Sequence, residues 1–205
     1  MRPSLYYQFK SWEHKRRYRV WESRGKPLPP PHFVKQLTIK EFARRFSSHV
    51  LVETGTYHGE MVSAMAGGFE QIYSIEVDEA LFRAAREKFR RRSHIRLLRG
   101  DSAMELPKVL ADVREPAIFW LDGHYTGVHA GKTDLNTPIL LELAAIAAHA
   151  VKQHVILIDD ARLFTGRDDY PSMESLREAA ARLFPSACFE VADDVIRIYP
   201  CATAP

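Results

Sequence analysis

The chain has 205 residues, 46% of them hydrophobic, and 29 Lys or Arg against 26 Asp or Glu, a formal charge of +3. That length and apolar content suffice for one full core, so a single folding unit is the natural count. Nowhere does an apolar run approach the roughly 20 residues of a membrane span, and Met1-Arg-Pro-Ser-Leu-Tyr-Tyr-Gln-Phe-Lys has no apolar signal core, so no membrane partner is expected.

Charge is uneven along the chain. Residues 1–48 carry 12 Lys or Arg against Glu13, Glu22 and Glu41, a local +9, which from a total of +3 leaves −6 for the rest. The same stretch holds Tyr6, Tyr7, Phe9, Trp12, Tyr18 and Trp21. Basic residues interleaved with aromatics can bind nucleic acid through phosphate contacts and base stacking. The preferred reading is an accessory helix over about residues 6–22 that packs its aromatic stripe on the domain and keeps its cations in water. Arg24 to Pro31 then reads as a stiff Pro-rich spacer. A second helix follows from His32 to about Phe46, with Phe33, Val34, Leu37, Ile39, Phe42 and Phe46 broadly on one face. Residues 1–48 are thus basic accessory helices and linker, part of the same unit as a main domain over 49–205.

From residue 50 strands and helices alternate. Strands are expected at 50–54, 71–76, 95–100, 117–122 and 154–159, and helices at 58–67, 79–91, 102–113, 138–150 and 172–184. Ala187–Val191 and Val195–Tyr199, joined by Ala192-Asp-Asp194, read as a closing hairpin. Such alternation predicts an α/β fold, a Rossmann-like doubly wound and mostly parallel sheet of about seven strands with a C-terminal antiparallel hairpin. No internal repeat is present. Cys188 and Cys201 are the only cysteines and lack any Cys/His spacing for zinc, which leaves a reducing cytoplasm as the default compartment.

The polar residues gather at predicted strand ends. Val50-Leu-Val-Glu53-Thr-Gly55-Thr56-Tyr57-His-Gly59 passes from a strand through glycines into a helical pattern, a general cradle for a nucleotide. The dinucleotide fingerprint would need Gly where Tyr57 and Glu60 stand, and both side chains would obstruct a pyrophosphate. The pattern that fits is acidic-x-Gly-x-x-x-Gly. Glu76, closing Gln71-Ile-Tyr-Ser-Ile-Glu76, lies 21 residues after Gly55, the spacing that sets an acid against ribose hydroxyls. Asp101-Ser102 follows the next strand. Each has a structural alternative: the glycines as a tight turn, Glu76 and Asp101 as helix caps. Their occurrence together at one sheet edge favours a cofactor.

Two further strands end in acids, Ala117-Ile-Phe-Trp-Leu-Asp122 and Val155-Ile-Leu-Ile-Asp159-Asp160. Both runs are apolar throughout, as strands buried on both faces are. If the two are neighbours, three carboxylates converge, and like charges so close force one another to protonate unless a cation intervenes. Oxygen-only ligands suit Mg²⁺, Mn²⁺ or Ca²⁺ rather than zinc. The long connection 123–137 leaves Asp122 and contains His124 and Lys132, the candidate proton acceptors; loops of this length are commonly functional.

Over about residues 50–165 these motifs, in this order, resemble the class I S-adenosylmethionine-dependent methyltransferases. The resemblance implies cofactor contacts from Glu53, Gly55, Thr56, Tyr57, Gly59, Glu76, Asp101, Ser102 and Asp122. An acid after the fourth strand and an acid pair after the fifth are similar to the metal-dependent O-methyltransferases of the macrocin (sugar) type and, more distantly, the catechol type, which has Asp-Asn where this chain has Asp159-Asp160. It implies S-adenosylmethionine and Mg²⁺ (or Mn²⁺ or Ca²⁺) as cofactors, Asp122, Asp159 and Asp160 as metal ligands, and a small-molecule or sugar hydroxyl as acceptor. Asp122, His124 and Lys132 are the catalytic candidates. The rival readings are an RNA or protein methyltransferase using the basic arm, a metal-dependent hydroxylase or hydrolase on the same fold, and a non-enzymatic binding module. Homo-oligomerisation is left open.

Overall fold

The computed structural model describes residue 13 and residues 16–123 and 137–201. Seven strands form one sheet in the order β3-β2-β1-β4-β5-β7-β6. The parallel members are β1 (Val50–Thr54), β2 (Gln71–Glu76), β3 (Ile95–Arg99), β4 (Ile118–Leu121) and β5 (Val155–Ile158). The hairpin β6 (Ala187–Ala192) and β7 (Val195–Pro200) joins with β7 inside, antiparallel to β5, so the last strand of the chain is not the sheet edge.

Because successive strand residues point to opposite faces, each apolar strand feeds two cores. Val50, Val52, Phe119, Leu121, Ile156 and Ile158 face one layer, made of α5 (Ser102–Leu110), α6 (Ile139–Ala148) and α7 (Met173–Leu183). Leu51, Ile118, Trp120, Val155 and Leu157 face the other, made of α2 (His32–Arg45), α3 (Glu60–Met65) and α4 (Glu79–Phe89). Three helices on each face leave β1, β4 and β5 buried throughout, which is why β4 and β5 read as unbroken apolar runs. A shorter helical stretch, α1 (residues 16–23), precedes them.

Helix starts follow local chemistry. Asp78 caps α4 by accepting from the Leu81 N–H at 2.8 Å, and Asp101 caps α5 by accepting from Ala103 at 2.8 Å. The expected helix at 58–67 is shorter, beginning at Glu60, because Tyr57 (φ 49°) and Gly59 (φ 66°) adopt left-handed backbone that a helix cannot include. Pro138 and not Thr137 is the residue before α6, although the Thr137 hydroxyl still accepts from the Ile139 N–H at 3.4 Å.

The N-terminal segment is docked on the domain. Trp21 is buried against Phe33 and Val34, its indole N–H donates to the Pro27 carbonyl at 3.0 Å, and Lys26 reaches Asp193 of the β6–β7 turn at 2.9 Å. Tyr6, Tyr7, Phe9 and Trp12 lie outside the described residues. Cys188 and Cys201, which a reducing compartment would keep as thiols, are instead joined as a disulfide, with Cα atoms 5.1 Å apart. None of the described helices is long and apolar enough to cross a membrane.

Below the sheet, the entrances of β4 and β5 are tied by a histidine pair. His154 Nδ1 accepts the Ala117 N–H at 3.1 Å, which leaves its Nε2 to donate to His149 Nδ1 at 2.9 Å. Burial, then the neighbouring His149, holds His154 down at about 4. A histidine with a depressed folded-state value stabilises the fold fully above its unfolded value near 6.5 and loses that contribution as pH falls toward 4. His154→Gln keeps the hydrogen-bond geometry without the titration. The stability gap between wild type and His154→Gln, measured by urea unfolding, should therefore shrink by about 2 kcal/mol between pH 7.5 and pH 5; a pH-independent gap would refute the role.

Candidate functional site

All five parallel strands run the same way, so their carboxyl ends open on one edge, the position at which open α/β sheets bind ligands. The β1 end is shaped by backbone. Gly55 has φ +83°, and a Cβ there would lie 2.4 Å from the Asp122 carbonyl oxygen. A Cβ on Gly59 would meet the Phe89 ring at 2.7 Å. A side chain at Gly55 would push apart the loops after β1 and β4, and one at Gly59 would have to displace the Phe89 ring of α4.

Glu76, buried at the end of β2, accepts from the Tyr57 N–H at 2.7 Å and the Asp78 N–H at 2.9 Å. It thereby holds the glycine turn and presents its carboxylate along the turn's edge. Glu53 faces inward, where Ser74 donates to its carboxylate and Thr56 shares a 2.5 Å hydrogen bond with Ser74. Burial lifts Glu53 to about 8, so it is a neutral acid at pH 7. Asp101 and Ser102 stand at the end of β3 as the cap and first residue of α5. Tyr57, by contrast, is exposed.

One member of this cradle escapes sequence reasoning. Glu142 of α6 is almost fully buried beside Ser102 and Thr54, and among the described residues its Oε1 and the Thr54 Oγ1 make no hydrogen bond of good geometry. Burial pushes its carboxyl up to about 7. Orphaned buried polar atoms carry a desolvation cost, and these two border Gly123 at the mouth of the cradle, as suits a ligand bearing hydrogen-bond donors and acceptors. Its place in an otherwise apolar helical run, Ile-Leu-Leu-Glu142-Leu-Ala-Ala-Ile, is the one signal that could have found it.

The acids of β4 and β5 do meet. Leu121 pairs with Ile158, so Asp122 and Asp159 emerge side by side, and Asp122, Asp159 and Asp160 each offer an oxygen within 4.8 Å of the others. Asp159 has no exposure and Asp160 very little. Burial, then the charge of Asp159, raises Asp122 well above the carboxylate range, and burial lifts Asp159 to about 6 despite Lys35. Asp160 is the exception: burial alone would raise it, but Lys35 and Arg162 together hold it below its ordinary value. Its left-handed backbone (φ 55°) turns it back toward the cluster.

The counter-charges were also missed from sequence. Lys35 of α2 donates to Asp159 and, at 3.2 Å, to Asp160. Arg162 donates to Asp160 at 2.8 Å and to Asp194 of the β6–β7 turn. Both cations come from segments remote in sequence or in loops, where no periodicity marks them. Tyr170, buried edge-to-face on Phe164 with ring centroids 5.4 Å apart, completes the wall on the α7 side. His124 and Lys132 lie outside the described residues, as does the rest of the loop 124–136.

With the fold and strand-end geometry in place, solved structures supply the comparison. A putative caffeoyl-CoA O-methyltransferase from Staphylococcus aureus superposes with TM-score 0.59 at 13% identity, covering 96% of this chain and 100% of that one. The S-adenosylhomocysteine-bound methyltransferase PaMTH1 from Podospora anserina gives 0.60 at 16%, covering 98% and 99%. TomG, an O-methyltransferase of tomaymycin synthesis from Streptomyces achromogenes solved with S-adenosylmethionine, gives 0.57 at 13%, covering 92% and 89%. This is the class I methyltransferase fold. No protein-family model and no curated protein sequence matches the chain. In the methyltransferase fold the sheet order and closing hairpin seen here are accounted for element by element, including β7 inserted between β5 and β6.

Comparing two glycines of positive φ, Gly25 and Gly55, allows a direct test of the cradle. Gly25 also has positive φ (+78°) but nothing within 4 Å of an added Cβ. Gly25→Ala should therefore cost only backbone strain of about 1 kcal/mol, whereas Gly55→Ala adds a backbone clash and should cost about 2–4 kcal/mol. Equal losses of melting temperature in the two variants would show that the Gly55–Asp122 approach is not a constraint.

Proposed function

We propose that this protein is an S-adenosylmethionine-dependent O-methyltransferase that acts on a hydroxyl of a small molecule or sugar held at a divalent-cation seat. One observation carries the reading: Asp122 belongs to two sites at once. Its backbone closes over Gly55 of the cradle, and its carboxyl joins Asp159 and Asp160. A methyl donor in the cradle and an acceptor at the carboxylates would therefore be neighbours, and holding two reactants in contact is the largest service a site can give a transfer reaction.

The chain's residues fit the donor. Glu76 has free lone pairs to accept from ribose hydroxyls, Asp101 and Ser102 at the end of β3 are the proposed adenine contacts, and the under-bonded Glu142 and Thr54 oxygens suit a polar ligand. Tyr57 and Glu60 stand where a pyrophosphate would need glycine. Three carboxylates at 4.8 Å or less also fit a hard divalent cation. Asp122, Asp159 and Asp160 would hold it, and such an ion supplies acidification and orientation of a hydroxyl. The acid pair Asp159-Asp160 favours a sugar-type acceptor over a catechol. His124 and Lys132, which follow Asp122 in sequence, are the proposed proton acceptors, and Tyr170 packs edge-to-face on Phe164 beside the cluster.

S-adenosylhomocysteine should raise the melting temperature while NAD and NADP do not, since a ligand stabilises the fold in proportion to its binding. Glu76→Ala should weaken that binding by about 1–3 kcal/mol through lost charge-assisted hydrogen bonds. A response to NAD and none to S-adenosylhomocysteine would end the methyltransferase reading.

The cation is tested separately. EDTA should abolish methyl transfer and Mg²⁺ or Mn²⁺ restore it, while calorimetric affinity for S-adenosylhomocysteine stays within about twofold because its contacts come from other strand ends. Asp159→Ala should imitate EDTA, and Asp169→Ala in the outer loop should not. Full turnover by metal-free protein would refute the cation seat and leave the donor site standing.

A further inference from the structure

A cation already occupies the centre of the carboxylate cluster. Lys35 projects from α2, its side chain 15% exposed, and its ammonium donates to both Asp159 and Asp160. The helix that delivers it is anchored on both sides. Phe33 and Val34 pack with Trp21, and Ile39 and Phe42 enter the core under β4 and β5. The backbone at Lys35 is thereby fixed, but a lysine stem of four carbons can swing its charge by several Å without moving its helix.

The charges facing Lys35 are unequal to it. Asp122, Asp159 and Asp160 present three carboxyls, and of the nearby cations Arg162 is already shared with Asp194. Two cations, one of them shared with Asp194, therefore face three carboxyls. An ammonium and a divalent ion cannot both sit on Asp159, because two cations at about 4 Å in a partly buried site repel strongly.

We propose that Lys35 is a displaceable internal counter-ion: its ammonium occupies the carboxylate oxygens of Asp159 and Asp160 in the metal-free protein, and a divalent cation must evict it to bind. The proposal rests on the reading of the cluster as a cation seat. It makes Lys35 a positioning residue that sets the affinity of the site, since a ligand that must first open its site binds more weakly by the fraction of time the site is open.

The test is a Mn²⁺ titration of the full-length protein without donor or acceptor, read by calorimetry and by electron paramagnetic resonance of free Mn²⁺. Lys35→Met should bind Mn²⁺ about tenfold tighter or more than wild type, and its melting temperature in EDTA should fall below wild type and recover with Mn²⁺. Lys35→Arg, whose guanidinium grips carboxylates bidentately, should bind Mn²⁺ more weakly than wild type. Mn²⁺ binding by wild type that is unchanged or weakened in Lys35→Met overturns the counter-ion role and leaves the cation seat intact. Absence of Mn²⁺ binding in both wild type and Lys35→Met overturns the seat itself and the proposal with it. Should Lys35→Met fail to fold, Lys35→Arg decides alone, and affinity equal to or tighter than wild type overturns the proposal.

Discussion

The closed register of β4 on β5 is the constraint on which the rest of the site depends. Leu121 opposite Ile158 brings the acids that follow both strands to one point. Like charges in that proximity cannot all ionise without help, and much of the surrounding structure consists of such help. Lys35 arrives from α2 and Arg162 from the short 3₁₀ turn at Ala161–Leu163, while Asp194 holds that arginine from the hairpin turn. Accessory helix, sheet and hairpin are therefore joined through one electrostatic knot rather than through apolar contact alone.

The donor cradle is built on a different principle. Its geometry is set by backbone approach, Gly55 against the Asp122 carbonyl and Gly59 over Phe89, and its carboxyls are kept from repelling one another by neutralisation. Glu53 and Glu142, both buried, are pushed up to about 8 and about 7 and so carry protons at neutral pH or near it. A site with two neutral buried acids beside the hydrogen-bonded carboxylate of Glu76 can accept hydrogen bonds from a ligand without the repulsion that three charges would impose. This suits a ligand whose own charge is a sulfonium with an amino-acid tail rather than a phosphate.

The N-terminal basic segment divides along its length. Where described, it behaves as packing: Trp21 is buried and Lys26 pairs with Asp193 on the hairpin turn. Its second helix, α2, does more, because Phe42 and Ile39 belong to the sheet core while Lys35 one turn earlier enters the site. A helix that is structural on one side and polar on the other couples the carboxylate cluster to the docking of the whole segment.

Sequence by itself determined the α/β class, the boundaries of the strands to within a residue or two, and the acids and glycines that end them. It could do so because strands buried on both faces admit only apolar residues, so any polar residue at their ends stands out. The helix cap Asp101 was legible for a related reason, since capping is local chemistry between residues two or three apart, whereas α4 is capped by Asp78 and not by Glu76. What only the tertiary structure decided is every pairing across distance. Lys35 on Asp159, Arg162 on Asp194, the orphaned Glu142 beside Thr54, and Cys188 bonded to Cys201 carry no periodic or spacing signal. Each depends on where two separate elements come to rest, and that is set by the packing of both cores against the sheet rather than by any stretch of chain that could be read alone.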